Sequence, residues 1–168
     1  SLEATFQPGR IGRWLESENK EHSSDVPSSR LSPLIMLDES ISQLTKARDA
    51  NDVVFRRNTF RRCPDIWSST TDFKTIKRIS NINPHQDEYK WGNVELIEWK
   101  ATDGQTLDGL LYKPDDFDPA KKYPLLVYFY ERRSDNLHSY YAPAAGRSII
   151  NFSFYVSRGY ALFVPDIP

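Results

Sequence analysis

Residues 123–130 read Tyr123-Pro124-Leu125-Leu126-Val127-Tyr128-Phe129-Tyr130, and residues 158–166 read Arg158-Gly159-Tyr160-Ala161-Leu162-Phe163-Val164-Pro165-Asp166. Each holds a continuous apolar run of strand length, without the polar alternation of a strand that keeps one wet face. Both are predicted as strands buried on two faces. Between them, Ser148 to Arg158 places Ile149, Phe152, Ser153 and Val156 on one helical face. Gly159 stands where a left-handed C-terminal cap is expected. Strand, helix, strand over residues 125–164 is a βαβ unit with parallel strands. The sequence stops just after the second strand, and a parallel sheet covered by one helix reads as half of a domain.

Working towards the N-terminus, Val94 to Lys100 and Leu107 to Lys113 flank Thr102-Asp103-Gly104-Gln105, an Asp-Gly turn that predicts a hairpin. Lys113 to Pro119 is a proline-bounded loop. Between Ile41 and Asn83 the pattern is of short β-branched and aromatic runs separated by turn residues: Ile41–Thr45, Asp52–Asn58, Asp65–Thr70 and Lys77–Ser80. Strands at about ten-residue spacing predict an antiparallel meander, such as a propeller blade or part of a sandwich. From Leu15 to Ser32 the chain is polar, with almost no apolar residue to offset its ordering entropy, and is expected to be a loop or disordered. The expected organisation is therefore 1–40 mostly irregular, 41–91 an antiparallel β segment, and 92–168 a mixed α/β portion whose sheet is incomplete.

The 168 residues carry 22 Lys+Arg against 23 Asp+Glu, a net charge of −1, which provides no bulk attraction to nucleic acid or to an anionic membrane. No apolar run reaches the roughly 18 to 20 residues of a membrane helix, and no secretory signal pattern opens the sequence, so the sequence assigns no compartment. A single cysteine, Cys63, excludes an internal disulfide and a thiolate metal cluster. His22, His85 and His138 are too scattered to be metal ligands as a set, so neither a metal nor an organic cofactor is implied. Arg56, Arg57, Arg61, Arg62, Lys74, Lys77 and Arg78 interleave with Phe55, Phe60, Trp67 and Phe73, a composition that suits single-stranded nucleic acid. The simpler reading is a solvated strand face backed by core aromatics, and it is preferred because nearby acidic residues balance the charge.

No Gly-x-Ser-x-Gly nucleophile elbow occurs. Gly146-Arg147-Ser148 lacks the second glycine and a preceding strand, so Ser148 reads as the N-terminal residue of a helix. No histidine follows Ser148, which breaks the serine, acid, histidine order of α/β-hydrolases. Phosphate-cradling glycine patterns are absent as well. The segment Tyr130-Glu131-Arg132-Arg133-Ser134-Asp135-Asn136-Leu137-His138 leaves the C-terminal end of a buried strand, where open α/β sheets place their chemistry. Without a nucleophile, these residues orient a substrate or stabilise developing charge at most.

Three blocks in order, residues 99–114, 122–130 and 156–166, resemble the start of the peptidase domain in the prolyl oligopeptidase family (S9) of serine peptidases. Residues 41–91 resemble the end of that family's β-propeller. The resemblance implies an antiparallel propeller-like meander followed by an incomplete α/β-hydrolase sheet, and a parent enzyme that hydrolyses peptide bonds through an acyl-enzyme. It implies no cofactor. By position, Tyr130 takes the role of the tyrosine whose hydroxyl helps form the oxyanion hole, although the family's glycine-containing continuation is replaced here by Glu131-Arg132-Arg133. The family's nucleophile, acid and histidine would follow Pro168. No catalytic residue is thus assigned within the chain, which is expected to be inactive alone, with peptides as substrates of the full-length parent. In the family's strand order Leu125 to Tyr130 would be left as an apolar edge, which predicts self-association. The alternative is a stand-alone interaction module without chemistry.

Overall fold

The computed structural model describes residues 2–5, 13–17, 32–144 and 150–167. The chain divides into two compact units, one of residues 1–58 and 64–82, the other of residues 59–63 and 83–168.

In the first unit, β1 (Leu2–Thr5), β2 (Arg13–Ser17) and β3 (Ser32–Leu37) form an antiparallel sheet. Strands thus stand at three places within residues 1–40, where irregular chain is expected from composition. Antiparallel pairing across the sheet satisfies the backbone N–H and C=O groups of these short strands. Most of the expected loop, residues 18–31, lies outside the described residues. The meander follows as β4 (Ser40–Lys46), β5 (Asp52–Asn58), β6 (Asp65–Thr70) and β7 (Ile76–Arg78), each antiparallel to the next. Along β5, Val53 and Phe55 point inward while Asp52, Val54 and Arg56 face out, the period of two that a one-sided sheet requires. Val53 and Phe55 join Ile41 and Phe73 in the core of this unit. A bulge sets Gln43 and Leu44 against the single residue Phe55, and Gln43 takes a positive φ of 51° to make it.

Three basic residues of the meander are engaged by carboxylates. Arg57 bonds Glu39 at 2.7 Å and stacks over Trp67, Arg78 pairs with Asp65, and Lys74 lies 3.6 Å from Asp72. Phe55 and Phe73 are buried.

In the second unit, β8 (Asn93–Lys100) and β9 (Thr106–Lys113) form the predicted hairpin, with Gly104 at φ 88° in its turn. β10 (Leu125–Val127) and β11 (Ala161–Pro165) pair in parallel, α1 (Phe152–Val156) lies between them in sequence, and the sheet order is β10-β11-β9-β8. Together these are an antiparallel meander followed by a mixed sheet with a hairpin and one βαβ unit, the fold class expected from the sequence. One face of the mixed sheet carries Leu110, Tyr112, Leu162 and Val164, and α1 contributes Phe152 and Val156 to the same core. Burial raises the Tyr112 phenol well above its usual range, aided by the neighbouring Tyr141, so Tyr112 serves as a neutral core residue.

The helix is shorter than the sequence pattern suggests. Asn151, in an extended conformation, accepts a hydrogen bond from the Phe154 N–H at 3.1 Å and so starts α1 at Phe152. Ser148 and Ile149 lie outside the described residues. At the other end Gly159, at φ 84°, closes the helix: its N–H donates to the Val156 carbonyl, and the Tyr160 N–H donates to the Tyr155 carbonyl.

The expectation that Leu125 to Tyr130 is buried on both faces is corrected. Leu126 and Tyr128 pack on the core, but Leu125, Val127 and Phe129 are exposed, and the strand proper ends at Val127. Helix α1 covers one face only, and β10 stands at the end of the sheet order. In β11, by contrast, Ala161, Leu162, Val164 and Pro165 are buried. Among the described residues no helix is long and apolar enough to cross a membrane.

Candidate functional site

Because β10 and β11 are parallel, their C-terminal ends open at the same edge of the sheet, where α/β folds bind ligands. The ladder continues one step past β10, the Tyr128 N–H donating to the Phe163 carbonyl at 2.9 Å. Beyond it the chain arches through Phe129, Tyr130, Glu131 and Arg132. Glu131 holds a left-handed φ of 53°, a conformation that costs a side-chain-bearing residue on the order of 1 kcal/mol. That is the geometry a glycine at this place would adopt freely, and it makes the sharp turn directly after Tyr130.

Tyr130 is 57% exposed. Its carbonyl accepts a bond from Arg133 Nε at 3.2 Å, and the same guanidinium sits 5.4 Å from its ring and 5.9 Å from that of Tyr128. Among the described residues the Tyr130 hydroxyl has no hydrogen-bond partner. Arg133 also bears on Tyr141. Burial raises that phenol above its ordinary value, and the guanidinium partly counters the rise.

The far foot of the arch rests on Asp166, which is 6% exposed. Asp166 Oδ1 accepts the backbone N–H groups of Arg133 at 2.5 Å and Ser134 at 2.8 Å, and Oδ2 accepts the Ser134 hydroxyl at 2.5 Å. Arg132 Nε lies 3.8 Å from the same carboxylate. Ser134 then opens a 3-10 turn, Ser134–Asn136. Of the polar segment singled out in sequence, the structure therefore gathers Arg132, Arg133 and Ser134 around one buried carboxylate, and Tyr130 meets this group through Arg133. In the sequence Asp166 stands out only as the residue that follows the second apolar run. The signal for its role is an acidic residue placed immediately after an apolar run, at the strand end where chemistry collects.

A second carboxylate organises the entry to β8. Asp115 accepts the N–H groups of Trp91 at 2.8 Å and Gly92 at 3.1 Å and pairs with Arg61. Burial pushes this carboxyl up, but the Gly92 N–H, the Arg61 guanidinium and the Trp91 N–H outweigh it and hold it below the usual range. Trp91 Nε1 donates to the Phe60 carbonyl at 2.6 Å, and its ring stacks on Tyr140 with centroids 5.3 Å apart. Trp91 and Tyr140 line a cleft of about 550 Å³ that also touches Gln86, Asn151, Phe154 and Arg158. Tyr130 does not line it.

Human dipeptidyl peptidase 8 is 47% identical to this chain over 36 residues, 21% of the chain and 4% of that protein. Dipeptidyl peptidase 4 of Porphyromonas gingivalis superposes with a TM-score of 0.63 at 17% identity, covering 93% of this chain and 21% of its own. The acylaminoacyl peptidase of Pyrococcus horikoshii superposes with a TM-score of 0.64 at 13% identity, covering 98% of this chain and 23% of its own. The chain spans less than a quarter of the length of these solved structures. No family model matches it. At these identities the likeness is one of fold: the chain has the fold of the corresponding segment of S9 peptidases, the prolyl oligopeptidase family.

Proposed function

We propose that this chain is the junction segment of an S9 serine peptidase, joining the last part of a β-propeller (residues 41–91) to the first part of an α/β-hydrolase domain (residues 92–168). The full-length protein hydrolyses peptide bonds through an acyl-enzyme, and this segment contributes Tyr130 to the oxyanion hole. The observation that carries the reading is the placement of an exposed phenol, its hydroxyl without a hydrogen-bond partner among the described residues, on a turned loop at the C-terminal edge of the β10–β11 pair. A donor aimed at a tetrahedral oxyanion is worth about 3 kcal/mol. Exposure suits this role, since the hydroxyl must meet substrate rather than protein.

Tyr130→Phe in the full-length protein is expected to slow acylation of a proline-containing chromogenic peptide about 100-fold, with the folded state unaltered. An unchanged acylation rate removes Tyr130 from the oxyanion hole. The 168 residues alone, lacking a Gly-x-Ser-x-Gly elbow, are expected to hydrolyse nothing. Turnover by a pure, mass-verified chain would overturn that part of the reading.

A second reading, a binding module without chemistry, draws on the exposed Leu125, Val127 and Phe129 along β10. Independent cooperative unfolding of the chain as a monomer would favour it.

A further inference from the structure

The arch that carries Tyr130 is pinned at two feet. The near foot is the Tyr128 N–H bond to the Phe163 carbonyl, and the far foot is the set of three bonds that Arg133 and Ser134 donate to Asp166. Asp166 is itself fixed to the sheet, its N–H donating to the Asp108 carbonyl in β9 at 2.9 Å. We propose that Asp166 is a positioning residue for the oxyanion-hole tyrosine, setting the place of Tyr130 by clamping the backbone of Arg133 and Ser134. This rests on the reading of Tyr130 given above and adds a residue to it.

The chemistry of the clamp explains why a carboxylate stands there. A buried aspartate is costly unless every lone pair finds a donor. Asp166 receives two backbone N–H groups and one hydroxyl, with the Arg132 guanidinium 3.8 Å away to offset its charge. Charge-assisted bonds to backbone N–H groups are short and directional, so they fix the loop more tightly than neutral ones. An apolar residue in the same volume would leave the Arg133 and Ser134 N–H groups without acceptors. Only Phe129 to Arg132 lie between the two feet, so their spacing limits where the Tyr130 ring can go. Arg133 ties the clamp to Tyr130 directly, since its backbone N–H is held by Asp166 while its guanidinium bonds the Tyr130 carbonyl and lies 5.4 Å from the ring. A loop 1 Å out of place forfeits much of a catalytic donor's effect.

The test is a double-mutant cycle in the full-length protein, reading the acylation rate and KM for a proline-containing chromogenic peptide. Asp166→Ala is expected to slow acylation roughly 10- to 100-fold with KM little changed, and to add nothing further in the Tyr130→Phe background. Asp166→Asn, which keeps an acceptor for the two N–H groups, is expected to restore most of the rate. If Asp166→Ala slows the Tyr130→Phe enzyme by the same factor as the parent, Asp166 does not act through Tyr130, and the inference falls while the reading of Tyr130 stands. If Tyr130→Phe alone changes nothing, both fall. Should Asp166→Ala fail to fold, Ser134→Ala removes one bond of the clamp and must show the same non-additivity at smaller amplitude, and additive behaviour would overturn the inference.

Discussion

At the scale of single residues, buried aspartates organise this protein. Asp65 in the meander accepts the Ser80 hydroxyl, the Arg78 guanidinium at 2.5 Å and the Ile66 N–H at 2.9 Å. Burial pushes its carboxyl up, but Ser80, Arg78 and Ile66 together prevail and hold it below 3.8. A carboxyl lowered in the folded state contributes stability that is present above its unfolded value and is lost as pH falls through the folded one. Unfolding free energy is therefore expected to be level in this respect above about pH 4 and to decline below it. Asp65→Asn should reduce both the stability at neutral pH and the steepness of that acid decline. An unaltered acid profile in urea titrations of the variant would exclude Asp65 as a source of the dependence.

At the scale of elements, glycine placement shows which positions are decided by packing. Gly92 enters β8 at φ 86°, and a Cβ there would meet Val156 Cγ1 at 2.2 Å and the Lys113 carbonyl oxygen at 2.7 Å. Gly104 has a similar φ of 88°, but a Cβ there meets nothing within 4 Å. Gly104→Ala is expected to cost about 1 kcal/mol, the strain of a left-handed alanine alone. Gly92→Ala should cost about 2 to 4 kcal/mol, since overpacking against α1 and a backbone oxygen adds to that strain. Equal losses for the two variants in denaturant unfolding would mean that the Gly92 contact relaxes freely. The Asp-Gly turn was legible in sequence because its requirement is local. The need for glycine at position 92 was not, because it arises from Val156, which is distant in the chain.

At the scale of the whole molecule, the edge of the mixed sheet governs behaviour in solution. Among the described residues β10 pairs with β11 alone, and it exposes Leu125, Val127 and Phe129. Unpaired strand N–H and C=O groups beside an apolar row form a template for another strand. We expect the 168-residue chain to self-associate through Leu125 to Tyr130, and Val127→Lys to return it towards monomer by placing a charge in the row. Sedimentation velocity over a range of concentrations checks this. A monodisperse monomer for the unmodified chain at high concentration would count against it.

The strand runs of the meander, the hairpin and the Gly159 cap follow from the sequence itself, because periodicity, turn chemistry and apolar length are properties of neighbouring residues. The boundaries of β5 and β6 emerge from the same local pattern, Asp52–Asn58 and Asp65–Thr70. The tertiary structure alone decides that one face of β10 is open and that Asp166 gathers Arg133 and Ser134 from 33 and 32 residues away. Those features depend on which elements cover one another and on which donors reach a buried charge. A carboxylate finds such partners through the folding of the sheet, and nothing in its sequence neighbours announces them.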